Sequence, residues 1–228
     1  MREIVFDTET TGLEPADGHR IVEIGLVELM DHFPTGRSKQ FYLNPEREVP
    51  LESQRIHGLS TEFLRDKPRF ADIADDFLEF VGDAVLVIHN AGFDMKFINA
   101  ELQRAGRTPL SMVRIVDTIE IAKRQIPGIR YSLDELCRRF NIDLSLREKH
   151  GALLDAELTA QVYLELVGGR QRGLALAPAE LVEDKAIDQG RPARSRPQPL
   201  APLVTVEELT RHAAFIAREL GSKAIWAR

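Results

Sequence analysis

Three apolar runs open the chain: Glu3 to Phe6, Ile21 to Leu29 and Gln40 to Leu43. In the second, Val22, Ile24, Leu26 and Met30 fall on one face, the period-two spacing of a strand. Between the runs lie Thr11-Gly12 with Pro15, Asp17-Gly18, and Pro34-Thr35-Gly36, which carry turn chemistry. The three runs are therefore expected to pair as antiparallel neighbours. The rhythm then changes. Phe70, Ile73, Ala74, Phe77, Leu78 and Val81 recur at helical spacing. Val85 to Ile88 is a continuous apolar run, suited to a buried strand. Phe93 to Ala105 reads as a helix stopped by Gly106. Val113 to Val116 reads as another strand, and Thr118 to Gln125 as a helix ended by Pro127-Gly128. Ser132 is placed to cap Leu133 to Phe140, with Glu135 as its capping-box partner. Leu153 to Val167 predicts an amphipathic helix ended by Gly168-Gly169. Strands first, then strands alternating with helices, predict an α/β domain with a mixed sheet over residues 1–169.

The pattern breaks after that domain. Residues 178–202 hold five of the twelve prolines, with Ala, Arg and Gln between them, so 170–203 is expected to be a flexible linker. Order returns in 204–228. Thr205 can cap a helix from Val206 to Leu220, Gly221 stops it, and Ala224-Ile225-Trp226 follows.

Composition narrows the class. Of 228 residues, 43% are hydrophobic and 29% charged, a soluble globular balance. No run of eighteen apolar residues is present, the opening segment lacks the succession of a signal peptide, and the expected compartment is the cytoplasm. One cysteine, Cys137, excludes a disulfide framework and a cysteine-rich zinc site. Residues 1–167 hold 20 Lys+Arg against 29 Asp+Glu, net −9, while 168–228 hold 10 against 7, net +3. An acidic front domain argues against broad electrostatic binding of duplex DNA. It leaves room for a nucleic-acid enzyme whose carboxylates hold metal ions that supply positive charge locally.

Three acidic features lie at element ends. Asp7 and Glu9 follow the first strand at i and i+2, so both can enter one pocket. Alone, they also fit a solvated strand terminus. His89-Asn90-Ala91-Gly92-Phe93-Asp94 follows the buried strand, where α/β proteins place their sites. Alone, Asp94 also fits a carboxylate favouring a helix N-terminus. His150-Gly151-Ala152-Leu153-Leu154-Asp155 opens the long helix. The flanking Leu154, Leu158, Val162 and Leu166 suggest that Asp155 faces inward, where it needs a cation or several donors. His150 can share a site with Asp155 only from the loop before the helix, and on that loop it also fits an exposed histidine. Four carboxylates and one histidine from three segments fit a two-metal hydrolase, whose ions can clamp the attacking and leaving oxygens of a phosphoryl displacement.

These residues carry a resemblance. Asp7-x-Glu9, Asp94 and His150-x4-Asp155 look like the three motifs of the DEDDh 3′→5′ exonucleases. Phe6-Asp7-Thr8-Glu9-Thr10-Thr11-Gly12, Val87-Ile88-His89-Asn90-Ala91-Gly92-Phe93-Asp94 and His150-Gly151-Ala152-Leu153-Leu154-Asp155-Ala156 resemble most the proofreading branch, the epsilon subunits of bacterial DNA polymerase III. The resemblance covers about residues 2–169. It implies a ribonuclease-H-like mixed sheet flanked by helices, followed by a flexible linker and a C-terminal helical tail. It implies two divalent ions, Mg²⁺ or Mn²⁺, with Asp7 shared between them, Glu9 and Asp155 on one, Asp94 on the other, and His150 as general base. The implied product is a 5′-mononucleotide cut from the 3′ end of a DNA primer. Thr8, Thr10, Leu13, His57, Asn90 and Phe93 are the implied substrate contacts. Apolar surfaces suit that role because they stack bases without reading sequence, although Leu13 and Phe93 also fit simple core packing and His57 a turn histidine.

The tail has its own implied roles. Gln171-Arg172-Gly173-Leu174-Ala175-Leu176 has the form of a sliding-clamp peptide, anchored by Gln171, Leu174 and Leu176. Leu209, Ile216, Leu220 and Trp226 are the implied contacts to the polymerase alpha subunit, at the end of a tether that raises local concentration. A further small accessory subunit is left open. Two competing readings are a free-standing RNA-trimming or oligoribonucleotide exonuclease of the same family, and a non-enzymatic stabiliser of a polymerase–clamp assembly.

Overall fold

The alternation of side chains along the first strand decides the architecture. In a computed structural model of the chain, β1 (Arg2–Thr10) sends Ile4 and Phe6 to one face of the sheet and Val5 to the other. Ile4 and Phe6 pack under α3 (Phe70–Val81) and α4 (Ala91–Arg104), with Phe77, Phe97 and Ile98 filling that layer. Val5 meets α7 (Ala152–Leu166) through Ala156, Ala160 and Tyr163. Glu3, on the same face as Val5, is fully buried and accepts the Tyr163 hydroxyl at 2.7 Å. The structure describes residues 1–145, 147, 149–168 and 204–220.

Four more strands complete the sheet: β2 (Ile21–Met30), β3 (Phe33–Tyr42), β4 (Val85–Ile88) and β5 (Ile115–Asp117), in the order β3-β2-β1-β4-β5. β1, β2 and β3 pair antiparallel, while β4 runs parallel to both β1 and β5. The expected mixed sheet is therefore present. The parallel half places the carboxyl ends of β1, β4 and β5 together, where α/β sites form.

Several boundaries differ from the pattern-based expectation. Pro34-Thr35-Gly36 is not a turn; it lies within β3, and the hairpin turns at Asp31 and His32, both at positive φ (50° and 73°). Two left-handed residues suit a tight hairpin, and the exposed, polar start of β3 carries no apolar alternation to reveal it. Helices α1 (Leu51–His57) and α2 (Thr61–Leu64) were not expected. The apolar Leu51 and Ile56 of α1 are exposed and build no periodic face. Val113, 91% exposed, sits in a single 3-10 turn before β5 rather than in the strand. α5 (Thr118–Gln125) starts at an Asp117 cap, Ile119 N–H donating to Oδ1 at 2.8 Å. α6 (Leu133–Arg139) begins after Ser132, but no capping box forms there: the Ser132 side chain makes no cap hydrogen bond, and Glu135 instead accepts from Arg138 at 3.3 Å.

One close approach fixes α7 against the sheet. Gly25 of β2 pairs with Asp7 of β1. A Cβ on Gly25 would lie 2.2–2.3 Å from backbone atoms of Ala152 and Leu153. Only the missing side chain lets the first turn of α7 lie on the strand beside Asp7.

Residues 204–220 belong to a separate unit. Thr205 and Glu208 form a reciprocal capping box at the start of α8 (Val206–Phe215), which continues as a wider turn over Ile216–Leu220. Leu209 lies on α8, and Ile216 and Leu220 bound the turn. Gln171, Leu174, Leu176 and Trp226 lie outside the described residues. Among the described residues, no helix is long and apolar enough to cross a membrane.

Candidate active site

The ends of β1 and β4, the first turns of α4 and α7, and the loop before α7 surround one cleft of about 630 Å³. Asp7, Glu9, Asp94, Arg147, His150 and Asp155 all line it. The period-two geometry of β1 sends Asp7 and Glu9 to the α7 face, where Asp155 stands one turn into the helix. Thr8, between them, points the opposite way. Its backbone N–H and its hydroxyl both donate to Asp94 Oδ1, at 3.0 and 2.7 Å. Asp94 is buried in the first turn of α4.

His150 lies on the loop before α7, as sharing the site with Asp155 requires. Its side chain is half exposed, and Nδ1 lies 3.2 Å from Asp155 Oδ2. Ligand atoms of Glu9, His150 and Asp155 all fall within 4.8 Å of one another. Asp155 is also gripped by Arg147, whose Nε donates to Oδ1 at 2.6 Å and whose Nη2 donates to Oδ2 at 2.7 Å. The same guanidinium bonds Asp134 through Nη1 and approaches His150 Nδ1 at 3.0 Å.

Charge is unevenly compensated. Burial, followed by Asp94, Glu9, Asp155 and Glu23, raises the Asp7 pKa well above the usual carboxylate range. Burial and the neighbouring Asp155 and Glu23 push Glu9 up to about 8. Burial pushes Asp94 up to about 7 against the opposing hydrogen bonds of Thr8. Burial also disfavours ionised Asp155, but hydrogen bonds from Arg147 and His150 outweigh it and hold this carboxyl below its ordinary value. Of the four, only Asp155 is hydrogen-bonded to a cationic side chain among the described residues. Oxygen donors with an excess of negative charge are what hard divalent ions such as Mg²⁺ and Mn²⁺ take, and the residues present fit such a centre.

The other expected site residues are distributed around this cleft. Thr8, Asn90 and Phe93 line it. Asn90 adopts φ 67° and its N–H donates to Asp117 Oδ1 at 3.3 Å, while Ala91 N–H donates to Oδ2 at 3.0 Å. Phe93 packs on Phe97 with ring centroids 5.2 Å apart. Thr10, Leu13 and His57 do not line the cleft. The Thr10 hydroxyl is spent on Gly12 O at 2.6 Å. Leu13 is 73% exposed, so it is not a core residue. His57 ends α1, buried, with Leu59 N–H donating to its Nδ1 at 3.0 Å. Its Nε2 makes no hydrogen bond of good geometry, although the nearby Thr10 backbone favours protonation; burial dominates and lowers the ring to about 4, with His150 adding to the fall.

The sequence reasoning missed Arg147, Asp117 and Glu23. Glu23, opposite Glu9 on β2, is buried and bonded by Gln40 at 2.7 Å. Burial raises its pKa, while the Ala152 and Leu153 backbone at the start of α7 draws it down. The signal for Glu23 was the unexplained carboxylate inside the apolar run Ile21 to Leu29. For Arg147 it was a basic residue three positions before His150.

A mixed β3-β2-β1-β4-β5 sheet with carboxylates gathered at its strand ends defines a ribonuclease-H-like nuclease. The exonuclease family RNase_T matches residues 4–163. DNA polymerase III subunit epsilon of Rickettsia conorii is 48% identical over 223 residues, 96% of this chain and 97% of that one. The Escherichia coli protein of the same name is 39% identical over 237 residues, covering 99% and 97%. The solved structure of exonuclease X in complex with 5′ overhanging duplex DNA is similar at a TM-score of 0.58 and 26% identity, covering 72% of this chain and 90% of that chain. The chain belongs to this exonuclease family, and within it to the branch of the DNA polymerase III epsilon subunits.

Proposed function

We propose that the chain is the proofreading 3′→5′ exonuclease subunit of a cytoplasmic bacterial DNA polymerase III. It removes mispaired 3′-terminal nucleotides from a DNA primer by metal-assisted phosphodiester hydrolysis, releasing 5′-mononucleotides. One observation carries the reading: Asp7, Glu9, Asp94, His150 and Asp155, drawn from three separate segments, line a single cleft.

Asp7, Glu9, Asp94 and Asp155 would hold two divalent ions, Mg²⁺ or Mn²⁺, with Asp7 shared. Bound there, such ions supply activation of a water and neutralisation of the phosphodiester charge. The protein's own part is positional. Thr8 fixes one oxygen of Asp94, whose side chain lines the cleft. His150, tied through Nδ1, keeps Nε2 to take a proton from the attacking water. Asn90 and Phe93 flank the primer end, Leu13 offers an exposed wedge against the terminal base, and Thr8, Thr10 and His57 complete the substrate contacts.

Residues 1–169 are the exonuclease domain, 170–203 the linker with the clamp-binding peptide 171–176, and 204–228 the tail that binds the polymerase alpha subunit. DNA, the alpha subunit and the sliding clamp are the expected partners. The decisive experiment is digestion of a 5′-labelled DNA primer with paired and mispaired 3′ ends, and of an RNA of the same sequence. Stepwise shortening from the 3′ end, faster on the mispaired DNA and lost with chelator and in Asp7→Ala, supports the reading. Preference for RNA, or no cleavage by folded, metal-supplied protein, refutes it.

A further inference from the structure

Arg147 is a permanent cation in a cleft whose acidic lining residues are Asp7, Glu9, Asp94, Asp134 and Asp155. Its side chain is 8% exposed, and every nitrogen of its guanidinium has an acidic or imidazole partner. Nε and Nη2 form a two-pronged pair with both oxygens of Asp155, a strong and planar arrangement. Those are the oxygens through which Asp155 would serve a metal ion. A divalent ion on them lies within a few ångströms of the guanidinium, and like charges at that range repel strongly. The backbones differ as well. Asp155 is fixed on α7, whereas Arg147 and His150 lie between α6 and α7. Asp134, in the first turn of α6, offers Arg147 a second carboxylate outside the metal-ligand set.

We propose that Arg147 is a cationic latch: it holds Asp155 in an ion pair that an incoming divalent ion displaces, leaving the guanidinium on Asp134. Nη2 also touches His150 Nδ1, so opening the latch frees both the ligand carboxylate and one side of the imidazole. Metal entry and removal of the cation beside His150 are thereby coupled. Arg147 is a positioning residue in this scheme, since it acts through Asp155 and His150. The inference rests on the reading of Asp155 as a metal ligand.

The test is Mn²⁺ binding by isothermal titration to the metal-free full chain, with circular dichroism to verify folding. Wild type, Arg147→Gln, Arg147→Lys, Asp134→Asn and Asp155→Asn are compared. Removing the latch in Arg147→Gln is expected to lower the Mn²⁺ Kd about tenfold, with Arg147→Lys in between. Asp134→Asn removes the alternative partner, commits Arg147 to Asp155, and is expected to raise the Kd several-fold. Opposite signs for these two variants are the signature, because loss of a merely structural tie weakens binding in both. An unchanged or higher Kd in Arg147→Gln, or the same direction in both variants, overturns the latch while leaving the metal reading intact. Mn²⁺ binding by Asp155→Asn equal to that of wild type overturns the metal role of Asp155, and the latch with it.

Discussion

Thr8 and Asp94 are joined twice at one atom: the backbone N–H and the hydroxyl of Thr8 both end on Asp94 Oδ1. The pair locks the end of β1 to the first turn of α4. It also draws the Asp94 pKa down against its burial. Thr8→Val keeps the β-branched shape and the backbone bond but deletes the hydroxyl. A hydrogen bond to a charged group contributes about 1.5 kcal/mol or more, so kcat/KM on a mispaired primer should fall roughly tenfold. Thr8→Ser should recover most of it. Steady-state kinetics of the three proteins decides; equal rates in wild type and valine variant would show that the second bond is idle.

Gly25 is the steric counterpart of that lock on the other face of the sheet. Its Cα is opposite Asp7, and the α7 backbone occupies the place of its side chain. Gly25→Ala cannot be relieved by a rotamer change, because the colliding atoms are backbone. Overpacking of this kind costs about 3 kcal/mol, a fall in Tm of roughly 10 °C for a domain of this size. Because the displaced element carries Asp155, activity at 20 °C should drop even where the variant is still folded. Calorimetry and kinetics on the same preparation check both halves.

The acidic cleft makes metal-free stability depend on pH in a defined direction. Folding raises Glu9 from 4.5 to about 8 and Asp94 from 3.8 to about 7. Between pH 6.5 and 8 the folded state therefore binds more protons than the unfolded one, and stability is lost as pH rises. Below 6.5 the buried His57, lowered to about 4, works the other way: its contribution is lost as pH falls. In chelator, the unfolding free energy should decline between pH 6.5 and 8 by on the order of 1–2 kcal/mol. Saturating Mn²⁺ should flatten this slope, since a bound cation takes over the role of the protons. Thermal melts at four pH values, with and without Mn²⁺, measure it; a rise in metal-free Tm across that window would contradict the carboxylate assignment.

The parts of the molecule that were legible in the sequence are those where one residue type has one structural reason. Val85 to Ile88 is buried on both faces and reads as an unbroken apolar run. Thr118 to Gln125 and Phe70 to Val81 are amphipathic and were bounded correctly. Asp7, Glu9, Asp94, His150 and Asp155 stood out because acidic and imidazole groups at element ends need a local reason. What stayed hidden depends on tertiary partners. α1 exposes Leu51 and Ile56 and shows no apolar face. The polar start of β3 is held by pairing to β2 rather than by burial. Arg147 looks like any loop arginine until the fold brings Asp134 and Asp155 to its two sides.

Asp117 serves two helices at once. Its Oδ1 accepts from Ile119 N–H at 2.8 Å and from Asn90 N–H at 3.3 Å, and its Oδ2 accepts from Ala91 N–H at 3.0 Å. The first bond caps α5. The other two hold the left-handed turn at Asn90 that launches α4, four residues before Asp94. Loss of an N-cap costs about 1 kcal/mol, and Asp117→Ala should lose at least that in stability. Asp117→Asn keeps one acceptor oxygen but turns an amide NH₂ toward one of the donors. It should retain the α5 cap, with Tm within a few degrees of wild type, yet loosen the 90–91 turn. Its nuclease rate should therefore fall more than its stability, and the Mn²⁺ concentration giving half-maximal rate should rise. A variant that lost Tm and rate in proportion would confine Asp117 to capping α5 and remove it from the support of Asp94.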